Sequence, residues 1–139
     1  MEMRVFSFEV EEGNFLRVIE WGDRADFDRA VGHDAYAYFH FPRIRAMIQI
    51  KELPRIKVTN RTVGIIHLVS GEYGVGVFSH ELQHFIQSWL YVKGIDGYEE
   101  GWEEVPKLVE WIQREYWTWW TDERETTPRK IIRRSEWNG

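Results

Sequence analysis

The apolar and polar positions divide the chain into a strand-rich first half and a helical second half. Val5-Phe6-Ser7-Phe8-Glu9-Val10 alternates with period two, Glu11-Glu12-Gly13-Asn14 turns, and Phe15-Leu16-Arg17-Val18-Ile19-Glu20 returns, which predicts a β-hairpin. Asp23 is a capping residue ahead of a short helix that reaches Val31. Tyr36-Ala37-Tyr38-Phe39-His40-Phe41 alternates again, and residues 45–51 and 55–58 read as further strands broken by Pro42 and Pro54. Thr62-Val63-Gly64-Ile65-Ile66-His67-Leu68-Val69 is β-branched and apolar between two polar turns, and predicts one more strand. Beyond it the period changes to that of a helix. Val75, Val77, Phe78, Leu82, Phe85, Ile86, Trp89 and Leu90 give one apolar background, and Val105, Leu108, Val109 and Ile112 the stripe of a second helix from about residue 99 to about residue 119. The expected fold is α+β, with an N-terminal, mostly antiparallel sheet packed against two helices.

The first of those helices carries His80-Glu81-Leu82-Gln83-His84, an H-E-x-x-H pentapeptide. Histidines four apart project from the same helical face one turn apart, so both imidazoles can reach one metal ion. The glutamate beside the first of them is placed to take a proton from water at that ion. Zinc suits the set, since it accepts neutral imidazole and a catalytic site needs three protein ligands and one open position. The competing reading is a buried helix whose histidines hydrogen-bond inside the core, which is costly for two histidines and a glutamate that lack a partner.

No histidine follows His84, so a third ligand must be an acid: Asp96, Glu99, Glu100, Glu103 or Glu104. Register separates them. At about 100° per residue, Glu104 lies at the edge of the second helix's apolar stripe, Glu100 lies further round, and Glu103 points nearly opposite. Glu104 faces the first helix most easily, and Glu100, one turn earlier on the same side, is either a ligand or a support for one. Any single acid here is equally well explained as a solvated first-turn carboxylate.

His80, Glu81 and His84, followed by a glutamate on the next helix, resemble the gluzincin metallopeptidases, the thermolysin-like class of zincins. The resemblance runs from about Thr62 to Ile112, and the short chain looks like the small minigluzincin or phage-repressor-cleaving types. It implies a His/His/Glu zinc site with one zinc per chain, ligands His80, His84 and Glu104, and Glu81 as general base. It also implies a zincin-like fold with the strand Thr62–Val69 at the cleft edge, where a peptide or protein substrate would pair as an extra strand. The family often has Asn before the ligand and Asp four residues after it; Glu103 and Leu108 stand at those places.

Composition bounds the rest. The 139 residues make one domain, taken as residues 1–122, with residues 123–139 as a tail. Absence of cysteine excludes disulfides and thiolate metal sites and fits a cytoplasmic setting. The N-terminus lacks a signal-peptide pattern, and no apolar run is long enough to span a membrane. A net charge of −5 argues against a nucleic-acid partner for the whole molecule, and the basic block Arg129-Lys130-Ile131-Ile132-Arg133-Arg134 reads as a solvated or loosely docked end. Eight tryptophans are present, and Trp117, Trp119 and Trp120 crowd together as a possible contact surface. Gly71-Glu72-Tyr73-Gly74-Val75-Gly76 reads as a plain strand-to-helix connection. His33, His40 and His67 lack metal-ligand spacing and are read as structural, with His67 able to face a cleft from its strand. Tyr73, Tyr91 and Tyr98 are candidate oxyanion donors. The sequence therefore predicts a zinc-dependent metallopeptidase. The alternatives are a zincin-like metal-binding module that acts by protein–protein recognition, and a regulatory protease with a single target.

Overall fold

The hairpin and the helix-capping signals form as the pattern requires. The computed structural model describes residues 3–32, 37–40, 62–94 and 103–137. Strands β1 (Arg4–Glu11) and β2 (Asn14–Trp21) pair antiparallel, with Phe6 opposite Val18 and Phe8 opposite Leu16. Gly13 turns the chain at φ 75°, a conformation that side chains with a Cβ disfavour. Helix α1 (Arg24–Val31) starts at Asp23, whose carboxylate accepts the Asp26 N–H at 2.8 Å. Strands β3 (Ala37–His40) and β4 (Thr62–Val69) follow, and the expected strands at 45–51 and 55–58 lie outside the described residues. Helices α2 (Val75–Lys93) and α3 (Glu104–Asp122) come next, then strand β5 (Arg129–Ile132) and a 3-10 turn at Arg134–Glu136. The second helix runs to Asp122, beyond its predicted end, because Pro128 lies too far downstream to stop it earlier.

The sheet has the order β3-β4-β2-β1-β5. Two of its pairings are antiparallel, β1 with β2 and β3 with β4, while β2 with β4 and β1 with β5 are parallel. The sheet is therefore mixed rather than mostly antiparallel. The parallel pairings arise from the long β2-to-β4 and β1-to-β5 connections, which hydrophobic alternation does not encode. One strand changes role. The expected open edge at Thr62–Val69 is closed from Ile65 to Leu68, where β3 pairs with β4, while β2 takes the other side of the strand.

One face of the sheet carries Phe6, Phe8, Leu16, Val18, Ile66 and Leu68. Against them pack Phe78, Leu82, Phe85, Ile86 and Trp89 of α2, and Leu108, Trp111, Ile112, Tyr116 and Trp119 of α3. Phe78 stacks on Tyr116 at 4.3 Å between ring centroids, and Phe6 meets Trp119 at 4.9 Å. Helix α1 touches β2 and β4 and buries Phe27. Trp119 is core, its indole N–H donating to the Thr127 carbonyl at 2.7 Å, and Trp117 and Trp120 are partly buried beside it, so the expected tryptophan contact surface is used inside the molecule. Among the described residues no helix is long and apolar enough to cross a membrane.

The basic end is part of the fold. β5 lies parallel to β1, Ile132 is buried in the core, and Trp137 stacks on Trp111 at 5.6 Å. Ile131 and Ile132 give the block the apolar content for an edge strand, and the reading as a loosely docked tail had set this aside. Ile132→Ala should lower unfolding stability by about 2–4 kcal/mol in urea titration, as for a core position. A change below about 0.5 kcal/mol would return the segment to the status of a tail.

Candidate metal centre

Helix α2 is positioned from both ends and along one side. Its N-cap is Gly74, and Gly94 ends it at φ 67° with its N–H on the Leu90 and Tyr91 carbonyls. Ser79 Oγ accepts a 2.9 Å bond from the Gln113 amide of α3, and Lys93 Nζ bonds Glu11 of β1 at 2.5 Å. With Phe78, Leu82, Phe85, Ile86 and Trp89 turned to the sheet and α3, the helix period rotates His80 and His84 to the opposite, solvent side. Both are exposed, so the reading in which they are buried core histidines is excluded.

The two Nε2 atoms lie 3.2 Å apart, within hydrogen-bond distance of each other, with rings inclined at 82°. Two nitrogens bound to one tetrahedral zinc at about 2.05 Å stand about 3.3 Å apart, so the separation also matches that of two ligands of one ion. Glu81 sits between this face and the core. It is 7% exposed, and its carboxylate accepts no hydrogen bond among the described residues. Burial pushes its carboxyl above the ordinary glutamate range, and His84 and His80 pull it back in part. Its carboxylate oxygens are not among the buried polar atoms that lack a partner, so the side chain lies at the boundary between core and solvent.

Glu104 is placed elsewhere. Ser79 meets Gln113 and Phe78 stacks on Tyr116, while Trp89, Leu90 and Lys93 share a cavity with Glu104 and Leu108, so α3 runs antiparallel to α2 and its start lies level with the end of α2. There Glu104 is exposed at the mouth of a cavity of about 330 Å³ lined also by Trp89, Leu90, Lys93, Leu108 and Trp137. Leu90 is six residues beyond His84, roughly 9 Å along the axis. Among the described residues no third histidine, aspartate or glutamate joins His80 and His84. Register about the axis had favoured Glu104, but it gives only the angle, and the antiparallel pairing sets the level. Glu103 is exposed as the N-cap of α3. Asp96, Glu99, Glu100 and Tyr98 lie outside the described residues, as does His33.

The remaining candidates separate cleanly. His67 is 9% exposed, stacks on Trp21, and accepts the Trp21 indole N–H on Nδ1 at 3.0 Å. Strand alternation turns it away from Ile66 and Leu68, which face α2, so it does not reach the histidine pair. Of His40, only the backbone in β3 is described. Tyr91 is 75% exposed on the same side of α2 as the histidines. Tyr73 is bound into a buried polar network that no sequence motif announced. Glu20, 1% exposed, takes Arg4 at 2.8 Å, Arg124 at 3.2 Å and the Tyr73 hydroxyl, while Tyr116 lies 2.6 Å from Tyr73. Burial pushes both phenols far above the ordinary tyrosine range, and the Glu20 charge adds to it for each. The Tyr73 hydroxyl is thus engaged by Glu20 and Tyr116 in this network. Comparison with protein-family models, curated proteins and solved structures finds no match to the chain.

Tyr73→Phe should cost about 1–2 kcal/mol of stability, because Glu20 and Tyr116 each lose a buried partner, and should leave metal binding at the histidines unchanged. Chemical denaturation and metal titration on the same preparation check both halves.

Proposed function

We propose that the protein is a zinc-dependent metallopeptidase. The observation that supports this best is the pair of Nε2 atoms 3.2 Å apart on the open side of α2, with buried Glu81 between them in sequence. His80 and His84 are the residues that hold the ion. An acid of the connection from Asp96 to Glu104 supplies the third ligand; Glu104 itself stands level with the end of α2, away from the histidine pair, and Glu100, Glu99 and Asp96 lie outside the described residues. When bound, zinc supplies Lewis-acid polarisation of a carbonyl and acidifies water. Glu81 is the general base: it takes a proton from the attacking water and returns it to the leaving amine. Its burial favours that role, since a carboxylate of raised basicity is a better proton acceptor.

The second reading, a metal-binding module without peptidase activity, is favoured by the set of only two ligands among the described residues. One set of variants tells them apart. Elemental mass spectrometry should find about one zinc per wild-type chain, and less than about a tenth of that in His84→Ala, when no metal-affinity tag is used. Glu81→Gln should keep the zinc and lose at least about 100-fold in peptide hydrolysis. Loss of zinc in Glu104→Ala assigns the third ligand, and its retention moves that role to Glu100, Glu99 or Asp96. Zinc without turnover on any polypeptide establishes the binding module, and absence of zinc after reloading overturns both readings.

A further inference from the structure

A cavity of about 330 Å³ lies between the last turn of α2, the first turn of α3, the end of β1 and the C-terminal turn. That size falls within the range of small-molecule sites. Val10, Trp89 and Leu108 give it a buried apolar wall, and Trp137 borders it as a second indole. Four charged side chains also reach it, and they are not equivalent. Lys93 and Glu11 neutralise each other in an ion pair at 2.5 Å. Among the described residues Arg134 and Glu104 form no ion pair, with each other or with any other group. Both also border an adjoining hollow of about 240 Å³. The cavity therefore has an apolar interior and one unmatched charge of each sign at its mouth. Arg134 is held in place there. Its guanidinium lies over the Trp137 ring at 3.6 Å, and its backbone N–H donates to Glu9 at 3.0 Å. Glu104 stands on the first turn of α3, away from the histidine pair.

We propose that this cavity binds a free α-amino acid with a large apolar or aromatic side chain, its carboxylate on Arg134 and its ammonium on Glu104. The proposal stands apart from the peptidase reading and needs no metal. A guanidinium presents a planar fork that matches a carboxylate with two parallel hydrogen bonds, and a glutamate accepts charge-assisted bonds from an ammonium. An α-amino acid carries both groups on one carbon, and its side chain leaves from the same atom. One small molecule thus meets the two unmatched charges at the mouth and covers the apolar wall behind them. An apolar acid would desolvate Glu104 without a counter-charge, and an apolar amine would do the same to Arg134. The Trp89 and Trp137 indoles favour a ring or a branched chain in the interior. Lys93 and Glu11 already satisfy each other, so they add no further charge requirement.

The test is titration of the full chain with L-phenylalanine, read by calorimetry and by ligand-observed NMR. A Kd on the order of 0.1 mM is expected. Phenylalanine amide lacks the carboxylate and stands for a peptide N-terminus; N-acetylphenylalanine lacks the ammonium and stands for a peptide C-terminus. Each should bind at least about tenfold more weakly than phenylalanine, because one charged group at the mouth then has no partner. Arg134→Gln should weaken phenylalanine about tenfold and leave the amide unchanged. Glu104→Gln should weaken phenylalanine about tenfold and leave N-acetylphenylalanine unchanged. Both side chains reach solvent, so the variants should keep the wild-type unfolding midpoint, and losses that cross over between ligands do not come from a damaged fold. Absence of phenylalanine binding overturns the proposal, and so does binding that survives both variants. Binding lost in His84→Ala places the amino acid on the histidine pair and overturns it as well. An analogue that binds as tightly as phenylalanine makes the cavity a site for a peptide terminus instead of a free amino acid.

Discussion

The packing of one face of α2 onto the sheet is the constraint from which the candidate site follows. Phe78, Leu82, Phe85, Ile86 and Trp89 cannot be turned to water without exposing several large side chains, each worth about 1.5–3 kcal/mol when buried. That fixes the rotation of the helix. With rotation fixed, the helical period leaves no freedom for residues 80, 81 and 84: the histidines face outward, and the glutamate falls on the flank, half a turn or less from the core. The burial of Glu81 is thus a consequence of where it stands between two apolar neighbours in the helix, and not of a pocket built around it. A change that rotated α2 by one residue, about 100°, would bury a histidine and expose a phenylalanine, so the site and the core are specified together.

Legibility in the sequence follows the range of the interactions involved. The hairpin, the capped helix α1, the strand at Thr62–Val69 and helix α2 were readable because each is encoded by neighbours in the chain: alternation, a capping aspartate, β-branching, a 3.6 period. The proximity of His80 and His84 was readable for the same reason, being a contact of one turn. What sequence reading lacked was long-range. That β4 is an interior strand depends on β3 and β2 coming to its two sides from distant parts of the chain. That the basic segment becomes β5 depends on the free edge of β1, 124 positions earlier at the Val5–Arg129 pairing. Glu104 illustrates the limit most directly, since its angular position was derivable and its level along α2 was not.

The Glu20 network is the clearest case of a feature with no local signal. Arg4, Glu20, Tyr73, Tyr116 and Arg124 come from β1, β2, the loop before α2, the body of α3 and the turn after it. Nothing in the spacing of these residues points to a shared site. The predicted four-residue turn from Glu11 to Asn14 would set Arg4 opposite Trp21; the irregularity between Glu9 and Glu11 shifts the register by one and brings Arg4 opposite Glu20. Their burial is imposed by the aromatic side chains of α3 closing over that end of the sheet.

The same network bears on how the candidate site is held. The His80–His84 pair stands on one helix, so its spacing is a matter of one helical turn. The position of that helix relative to the rest of the fold is not. Here α2 is tied at three levels. At its N-terminal loop Tyr73 reaches Glu20 of β2. One turn further on, Ser79 meets Gln113 of α3. At its last turn Lys93 meets Glu11 of β1. The first of these ties is buried and charge-assisted, the second joins neutral groups, and the third is half-exposed and screened by solvent. The tie at the N-terminal loop is therefore the least screened by solvent and the tie at the last turn the most, while the apolar face from Phe78 to Trp89 holds the helix to the core between them.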